Sequence, residues 1–406
     1  LGATDYIHDW IDMGYAARDW FIDHYSTLEA NRGQLVKLAV TEYDPRPGAT
    51  GDAPIVLMVG GRSVPAEEVF SGWGGTYQWA QSLTKSGIHV FFMDFQGLGD
   101  STRPVVMDDV INADRTDLPK LYGGTIPGPP TSTLPYSYPH HLTDSSSEIA
   151  ELCTVLNWIA TRLAGPIHLV GYSGASFIVG RCAMEWPEMV ASLFLCAPAF
   201  PPWGLSEKPA NPVPELFGFP LKLQGKKETL AAWNFDKRLG AEREGYVEDM
   251  VWERILEHDP KGAEWGRQVG GVIRYPTRLW WGWNDAKVRA DSHLGNDVRV
   301  AIVYGTSDTQ VITRRPDDGK PVLDIDPSPR PEKSGPPFDC RRLYPAIQGG
   351  SKLEISIDKT GHFMQWEKQA EVLHRYTADW ITKKSIENKT QGRYHRDSSG
   401  GLVSVP

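Results

Sequence analysis

Cysteine is scarce. Four in 406 residues cannot build a disulfide scaffold. Cys153 and Cys182 fall in helical patterns and Cys196 in an apolar strand, so these three are expected as core thiols, whereas Cys340 is expected in a loop with some exposure. Long apolar runs are also missing. The longest candidate, Val190 to Phe200, has eleven residues and a proline, against the roughly 20 that a membrane-spanning helix needs. There is no basic excess: Lys+Arg 42 against Asp+Glu 51 leaves a net charge of −9. No basic run with interleaved aromatics appears either, so nucleic acid is not an expected partner. Leu1 in place of a methionine is read as a processed or trimmed start, with no signal peptide left. Asn388-Lys389-Thr390 is a lone glycosylation sequon and leaves the compartment open. What remains, 40% hydrophobic and 23% charged residues, is the balance of a globular chain with a large core.

The patterns alternate between strand and helix. Pro54 to Val59 is a short continuous apolar run ending in Gly60-Gly61, the mark of a strand buried on both faces. A helix is expected over Tyr77 to Lys85 and the next buried strand over His89 to Phe95. Ser145 to Leu163 is amphipathic, with Ile149, Leu152, Leu156, Ala160 and Leu163 spaced by threes and fours behind Asp144 as N-cap. Strands follow at Ile167 to Val170, Val190 to Leu195, Val298 to Tyr304 and Lys352 to Ile357, with helices at Ala175 to Glu185 and Lys368 to Thr382. Such alternation predicts a mostly parallel sheet covered by helices on both faces. Before it, a strand is expected at Gln34 to Glu42, and the first thirty residues read as helix because Ile7, Trp10, Ile11 and Tyr15 share one helical face. Three stretches break the rhythm: Pro104 to Thr143, Pro201 to Asp297 and Arg314 to Gly350.

The chemistry concentrates in a few places. In Ile167-His168-Leu169-Val170-Gly171-Tyr172-Ser173-Gly174-Ala175 a serine sits between small residues, directly after a strand and before a helix. A sharp turn there holds a serine hydroxyl exposed, as a nucleophile elbow requires. A serine needs a base to take its proton. His362, in Thr360-Gly361-His362 after the last strand of the alternation, is the candidate. An acid is expected between the two at a strand end, and Asp308 in Tyr304-Gly305-Thr306-Ser307-Asp308 fits, with Asp285 as its rival. A tetrahedral intermediate needs two backbone donors: Gly174 after the serine and Gly61 after the first buried strand, with Arg62 next in line. His140 and His141 are adjacent but lack partners at metal-ligand spacing, so no metal is expected.

These pieces resemble the α/β-hydrolase-fold serine hydrolases. Val59-Gly60-Gly61, Asp94-Phe95-Gln96-Gly97-Leu98-Gly99-Asp100-Ser101, Gly171 to Ala175, Tyr304 to Asp308 and Gly361-His362 come in the family's order. Val59 stands where the family usually carries a histidine, and Ala175 where its serine motif usually ends in glycine. The resemblance implies an α/β-hydrolase core at 33–200 and 298–386, after an N-terminal helical segment at 1–32. It further implies a cap domain at 201–297 and leaves a C-terminal tail at 387–406. It implies the triad Ser173, Asp308 and His362, an oxyanion hole of Gly61 and Gly174, and no cofactor. The expected substrate is a bulky hydrophobic ester or lactone. Amide or carbon–carbon bond hydrolysis, acyl transfer and a ligand-binding sensor with residual hydrolysis are the alternatives. Seven of the fifteen tryptophans fall in 201–297. Trp281 and Trp283, with Arg62 and Tyr172, are therefore expected to line the substrate cleft. A homodimer is compatible with the sequence.

Overall fold

The computed structural model describes residues 2–8, 15–45, 53–72, 74–122, 135–208, 219–312 and 338–405. Its strands in chain order are β1 (Ala3–His8), β2 (Ala16–Tyr25), β3 (Leu35–Asp44), β4 (Ile55–Val59), β5 (His89–Met93), β6 (Thr143–Asp144), β7 (Ile167–Tyr172), β8 (Val190–Cys196), β9 (Leu221–Gly225), β10 (Val272–Pro276), β11 (Arg278–Leu279), β12 (Arg299–Gly305), β13 (Lys352–Ile357), β14 (Gly392–Arg396) and β15 (Leu402–Ser404). The helices are α1 (Ala66–Phe70), α2 (Trp79–Lys85), α3 (Ser145–Arg162), α4 (Ser176–Glu185), α5 (Lys226–Arg238), α6 (Val247–Glu257), α7 (Pro260–Trp265), α8 (Asp285–Ala290), α9 (Leu343–Ala346) and α10 (Ala370–Thr382).

One eleven-stranded sheet, in the order β1-β2-β3-β5-β4-β7-β8-β12-β13-β14-β15, organises the molecule. Pairing is parallel from β5 through β14 and antiparallel at both flanks. Every residue of β4 and β5 is buried, as two covered faces demand. Helices lie on both sides: α2 and α10 pack together, and α3 against α4. This is the α/β-hydrolase architecture. Strand order reverses around β4, and in open parallel sheets the carboxyl ends beside such a switch point form the ligand crevice.

The chain's two ends depart from expectation. The first thirty residues are not helical: β1 and β2 are antiparallel neighbours on the sheet. In β2 the buried side chains are Trp20, Ile22 and His24, a period of two, while Phe21 and Asp23 between them lie on the other, half-buried face. The helical spacing of Ile7 and Tyr15 is coincidental, and Trp10 and Ile11 lie outside the described residues. Nor is 387–406 a simple tail, because β14 pairs in parallel with β13 and β15 closes on β14. Cys340, expected with some exposure, is fully buried.

Within 201–297, β9 and β10 pair antiparallel, and the helices α5 to α7 that connect them pack against the pair. Leu221, Leu223 and Val272 of this pair share a small separate core with Met107, Ala113, Leu118 and Leu142 of the preceding insertion. The two long insertions therefore pack on each other.

Candidate active site

Ser173 follows β7 and opens the turn into α4, with a backbone φ of 53°. A non-glycine residue in the left-handed region is strained, and such strain persists only where the surroundings enforce it. Here the Ser173 carbonyl accepts the Ala199 N–H at 3.0 Å, and the Ser176 hydroxyl donates to the Ala199 carbonyl at 2.7 Å. The strand-to-helix reversal leaves Ser173 partly exposed at the carboxyl end of the sheet while Gly174 and Ala175 are buried.

Its hydroxyl lies 2.9 Å from His362 Nε2, and His362 Nδ1 lies 2.8 Å from Asp308 Oδ2. The carboxylate accepts, so the Nδ1 proton faces Asp308 and Nε2 is left to accept from Ser173. Asp308 is fully buried just past β12, and its Oδ1 accepts the backbone N–H groups of Gln310 and Val311 at 2.8 and 3.0 Å. The rival, Asp285, stands in the first turn of α8, bonded to Arg289 at 2.6 Å. Three residues drawn from distant points of the sequence thus form one hydrogen-bonded line. A serine in it can pass its proton to the imidazole as its oxygen attacks a carbonyl, and the imidazolium forms against Asp308.

Gly61 follows β4. A Cβ there would lie 3.4 Å from the Ser173 Cβ, and one on Gly174 would lie 3.7 Å from the Arg62 amide nitrogen. The backbones of 61–62 and 174 therefore converge beside the serine, where an oxyanion would form. The Arg62 guanidinium lies over the Tyr275 ring, 5.3 Å from its centroid.

The loop carrying His362 is gripped by groups that no local motif announces. The His362 N–H donates to Asp236 Oδ2 at 2.8 Å, and Asp236 Oδ1 accepts the Thr309 N–H at 3.0 Å. The Gly361 N–H donates to Glu367 at 2.7 Å, and the Trp233 indole N–H reaches the same carboxyl group at 3.0 Å. A Cβ at Gly361 would fall 2.7 Å from Asp236 Oδ2 and 2.9 Å from Glu367 Oε1, so the grip requires glycine. Burial first, and the Asp308 charge second, push the Asp236 carboxyl upward. Burial, with Asp236 adding to it, takes Glu367 to about 8. Asp236 sits on α5, so the inserted segment reaches the histidine directly. One signal for it exists in the sequence: Thr229, Trp233 and Asp236 lie on one buried helix stripe, and an acid on such a stripe needs partners.

The expected substrate contacts fare unevenly. The Tyr172 hydroxyl donates to the His362 carbonyl at 3.1 Å, so it helps hold the histidine loop. Trp283 is completely buried; its ring fills the space against Gly180 and meets Phe200 edge-on at 5.7 Å, so it is core packing and not cleft lining. The Arg181 guanidinium lies over the Trp281 ring, 3.9 Å from the ring centroid. The tryptophan that meets the site is Trp280, which sequence reasoning did not single out. A Cβ on Gly174 would be 2.8 Å from its ring edge, and it stacks on Phe177 at 4.3 Å.

Away from this line, Glu67, Asp100 and His258 hold their ligand atoms within 4.8 Å of one another, a set that fits a metal ion among the described residues. Arg254 lies 3.8 Å from Glu67 and bonds Glu68 at 3.0 Å, so a cation already competes there.

The chain belongs to the alpha/beta hydrolase family, whose model matches residues 56–375. Hydrolysis is therefore its coarse activity. No curated protein matches it in sequence. Among solved structures it is similar to a meta-cleavage product hydrolase from Pseudomonas fluorescens, with 12% identity, 89% of this chain and 98% of that one covered, and a TM-score of 0.47. It is also similar to a thermophilic esterase from Thermogutta terrifontis, with 14% identity, 89% and 98% covered, and a TM-score of 0.41. These are likenesses of fold. No helix among the described residues is long and apolar enough to cross a membrane.

Proposed function

We propose that this chain is a serine hydrolase cleaving a hydrophobic ester or lactone through an acyl-enzyme. Ser173 is the nucleophile, His362 the general base and then acid, and Asp308 the residue that orients and balances the imidazolium. The observation that carries this reading is the continuous line Ser173 Oγ–His362 Nε2 and His362 Nδ1–Asp308 Oδ2, at 2.9 and 2.8 Å. As Ser173 Oγ attacks the carbonyl carbon, its proton moves to Nε2. The carbonyl oxygen gains the negative charge and meets the amide N–H of Gly174 and of Gly61 or Arg62. The intermediate collapses, the C–O bond to the alcohol breaks, and Nε2 returns the proton to the departing oxygen. Water then repeats the sequence on the acyl-serine, which restores Ser173 and releases the acid.

Several aromatic rings border the triad and support a hydrophobic substrate: Phe363 lies 5.4 Å from the His362 ring, and Phe177 and Trp280 stack beside Gly174. Residues 201–297 act as the cap, contributing Asp236 behind the histidine and Trp280 beside the serine. The test is Ser173→Ala, assayed on a panel of chromogenic esters. kcat should fall by about four to six orders of magnitude with the Tm unchanged. A folded variant that keeps more than a few per cent of wild-type turnover removes Ser173 from this role.

A further inference from the structure

The exit of the inserted segment is seated along the start of α3. β11 pairs in parallel with β6, Arg278 opposite Thr143 and Leu279 opposite Asp144. The Trp281 N–H donates to Ser145 Oγ at 2.8 Å. Between these anchors lies Glu148, which with Glu151 is one of two acids on the buried face of α3. Its Oε1 accepts Arg278 Nε at 2.5 Å and the Thr143 hydroxyl at 3.1 Å, and its Oε2 accepts the Trp280 indole N–H at 3.0 Å. The Arg278 and Glu148 side chains are only 4% and 2% exposed. A charge-assisted pair sealed from water holds both partners in one geometry.

Both partners reach the candidate site. Arg278 Nη1 donates to the Arg62 carbonyl at 2.6 Å. That bond fixes the residue whose amide nitrogen lies beside Gly174. Trp280 fills the space that a side chain at position 174 would take, its ring edge 2.8 Å from that Cβ position. Glycine at 174 looks like an open door, but the indole closes it. An aromatic ring on a loop would swing aside for a large substrate; one tied through its N–H to a buried ion pair and stacked on Phe177 does not.

We propose that Glu148, Arg278 and Trp280 form one device. Arg278 is a positioning residue for the 61–62 backbone, and Trp280 is a specificity-determining wall that restricts branching next to the reacting carbonyl on the Gly174 side. The proposal rests on the serine-hydrolase reading. It narrows the substrate class to hydrophobic esters that are unbranched on one side of the scissile bond.

The experiment uses the full chain, with active sites counted by fluorophosphonate titration so that misfolded molecules drop out. Two substrate series are compared: p-nitrophenyl acetate with p-nitrophenyl pivalate, and ethyl acetate with tert-butyl acetate. Trp280→Ala should raise the branched-to-unbranched ratio of kcat/KM by at least about tenfold in one series. Ratios unchanged in both series overturn the wall. Arg278→Lys keeps the charge and loses the fork that reaches both Glu148 and Arg62. It should lower kcat per titrated site by about 10²-fold with KM within about twofold, the effect of a misplaced oxyanion donor. A fall in Tm with kcat per titrated site unchanged makes Arg278 mere packing and overturns its role. Failure of wild-type Ser173 to react with the fluorophosphonate overturns the hydrolase reading itself. Labelling with unchanged ratios and unchanged kcat overturns this device alone.

Discussion

Asp308 and Asp285 both follow Ser173 in the chain, and their surroundings separate them. Asp308 is fully buried with each oxygen bonded, one to His362 and one to two backbone amides. Asp285 is a helix-end acid paired with Arg289 near the surface. Asp308→Asn should reduce kcat by on the order of 10⁴, because an amide donor facing Nδ1 favours the wrong imidazole tautomer. Asp285→Asn should stay within about threefold of wild type. Steady-state kinetics on the two purified variants decides, and the reverse ranking sinks the assignment. Ser173, His362 and Asp308 were readable in the sequence because each follows a buried strand in a short local pattern. Asp236 left only the trace of an acid on a helix stripe, and Glu367, Glu148 and Trp280 were not singled out. The partners that give them their roles, His362 for Asp236, Trp233 for Glu367, and Arg278 and Trp280 for Glu148, lie more than 120 residues away, and the closed fold brings them together. The tryptophan count in 201–297 pointed to aromatics near the site but could not choose among neighbours: Trp280 and Trp283 differ by three positions, yet one meets Gly174 and the other fills the core.

Elements are joined by a clasp at His258, just after α6. Its Nδ1 lies 3.2 Å from Asp100 in the turn after β5, and its Nε2 lies 3.5 Å from Glu68 and 3.7 Å from Glu67 on α1. Its carbonyl accepts from Arg103 at 2.7 Å, and Arg254 on α6 also bonds Glu68. Burial alone would lower the His258 pKa. The bonds to Asp100 and Glu68 and the negative charge of Asp100 and Glu67 outweigh it and raise the pKa from the ordinary 6.5 to about 10. A raised histidine stabilises the fold fully below pH 6.5 and loses that contribution as pH rises through about 10. Asp94, Glu151 and Glu367, pushed by burial to about 7, 8 and 8, also cost stability as they ionise over part of this range. The informative quantity is therefore the difference between wild type and His258→Gln. Thermal melts from pH 6 to 10.5 should show the wild-type advantage, on the order of 1 kcal/mol, shrinking toward zero above pH 10. A constant difference across the range contradicts the clasp. At this scale the central strands were legible as continuous apolar runs. β1 and β2 were not, since a short stretch with one wet face offers both helical and alternating spacings.

Among the described residues the main sheet has eleven strands, with β1 at one edge and β15 at the other. β14 and β15 cover the edge that β13 would otherwise present. Arg393 on β14 bonds the buried Glu354 of β13 at 2.9 Å. Deleting residues 392–405 would strip that edge and leave Glu354 without its arginine, and an exposed strand edge invites aggregation. The truncated chain should lose roughly 3 kcal/mol or more of stability and associate at micromolar concentration, as read by denaturant melts and light scattering. An unchanged melt and a monodisperse truncated protein would show the last strands to be ornament. Residues 387–406 read as a tail because β14 is short and polar and β15 has only three residues, and β13, which β14 covers, gives no hint in its own sequence that an edge needs covering.

The most direct measurement is covalent. The wild-type chain is treated with a fluorophosphonate, digested, and searched by mass spectrometry for the adduct, with esterase activity followed in parallel. The account predicts one equivalent bound, all of it on Ser173, with activity lost in step and no adduct on Ser173→Ala. Full occupancy at another residue, or full occupancy at Ser173 with ester turnover intact, would contradict it.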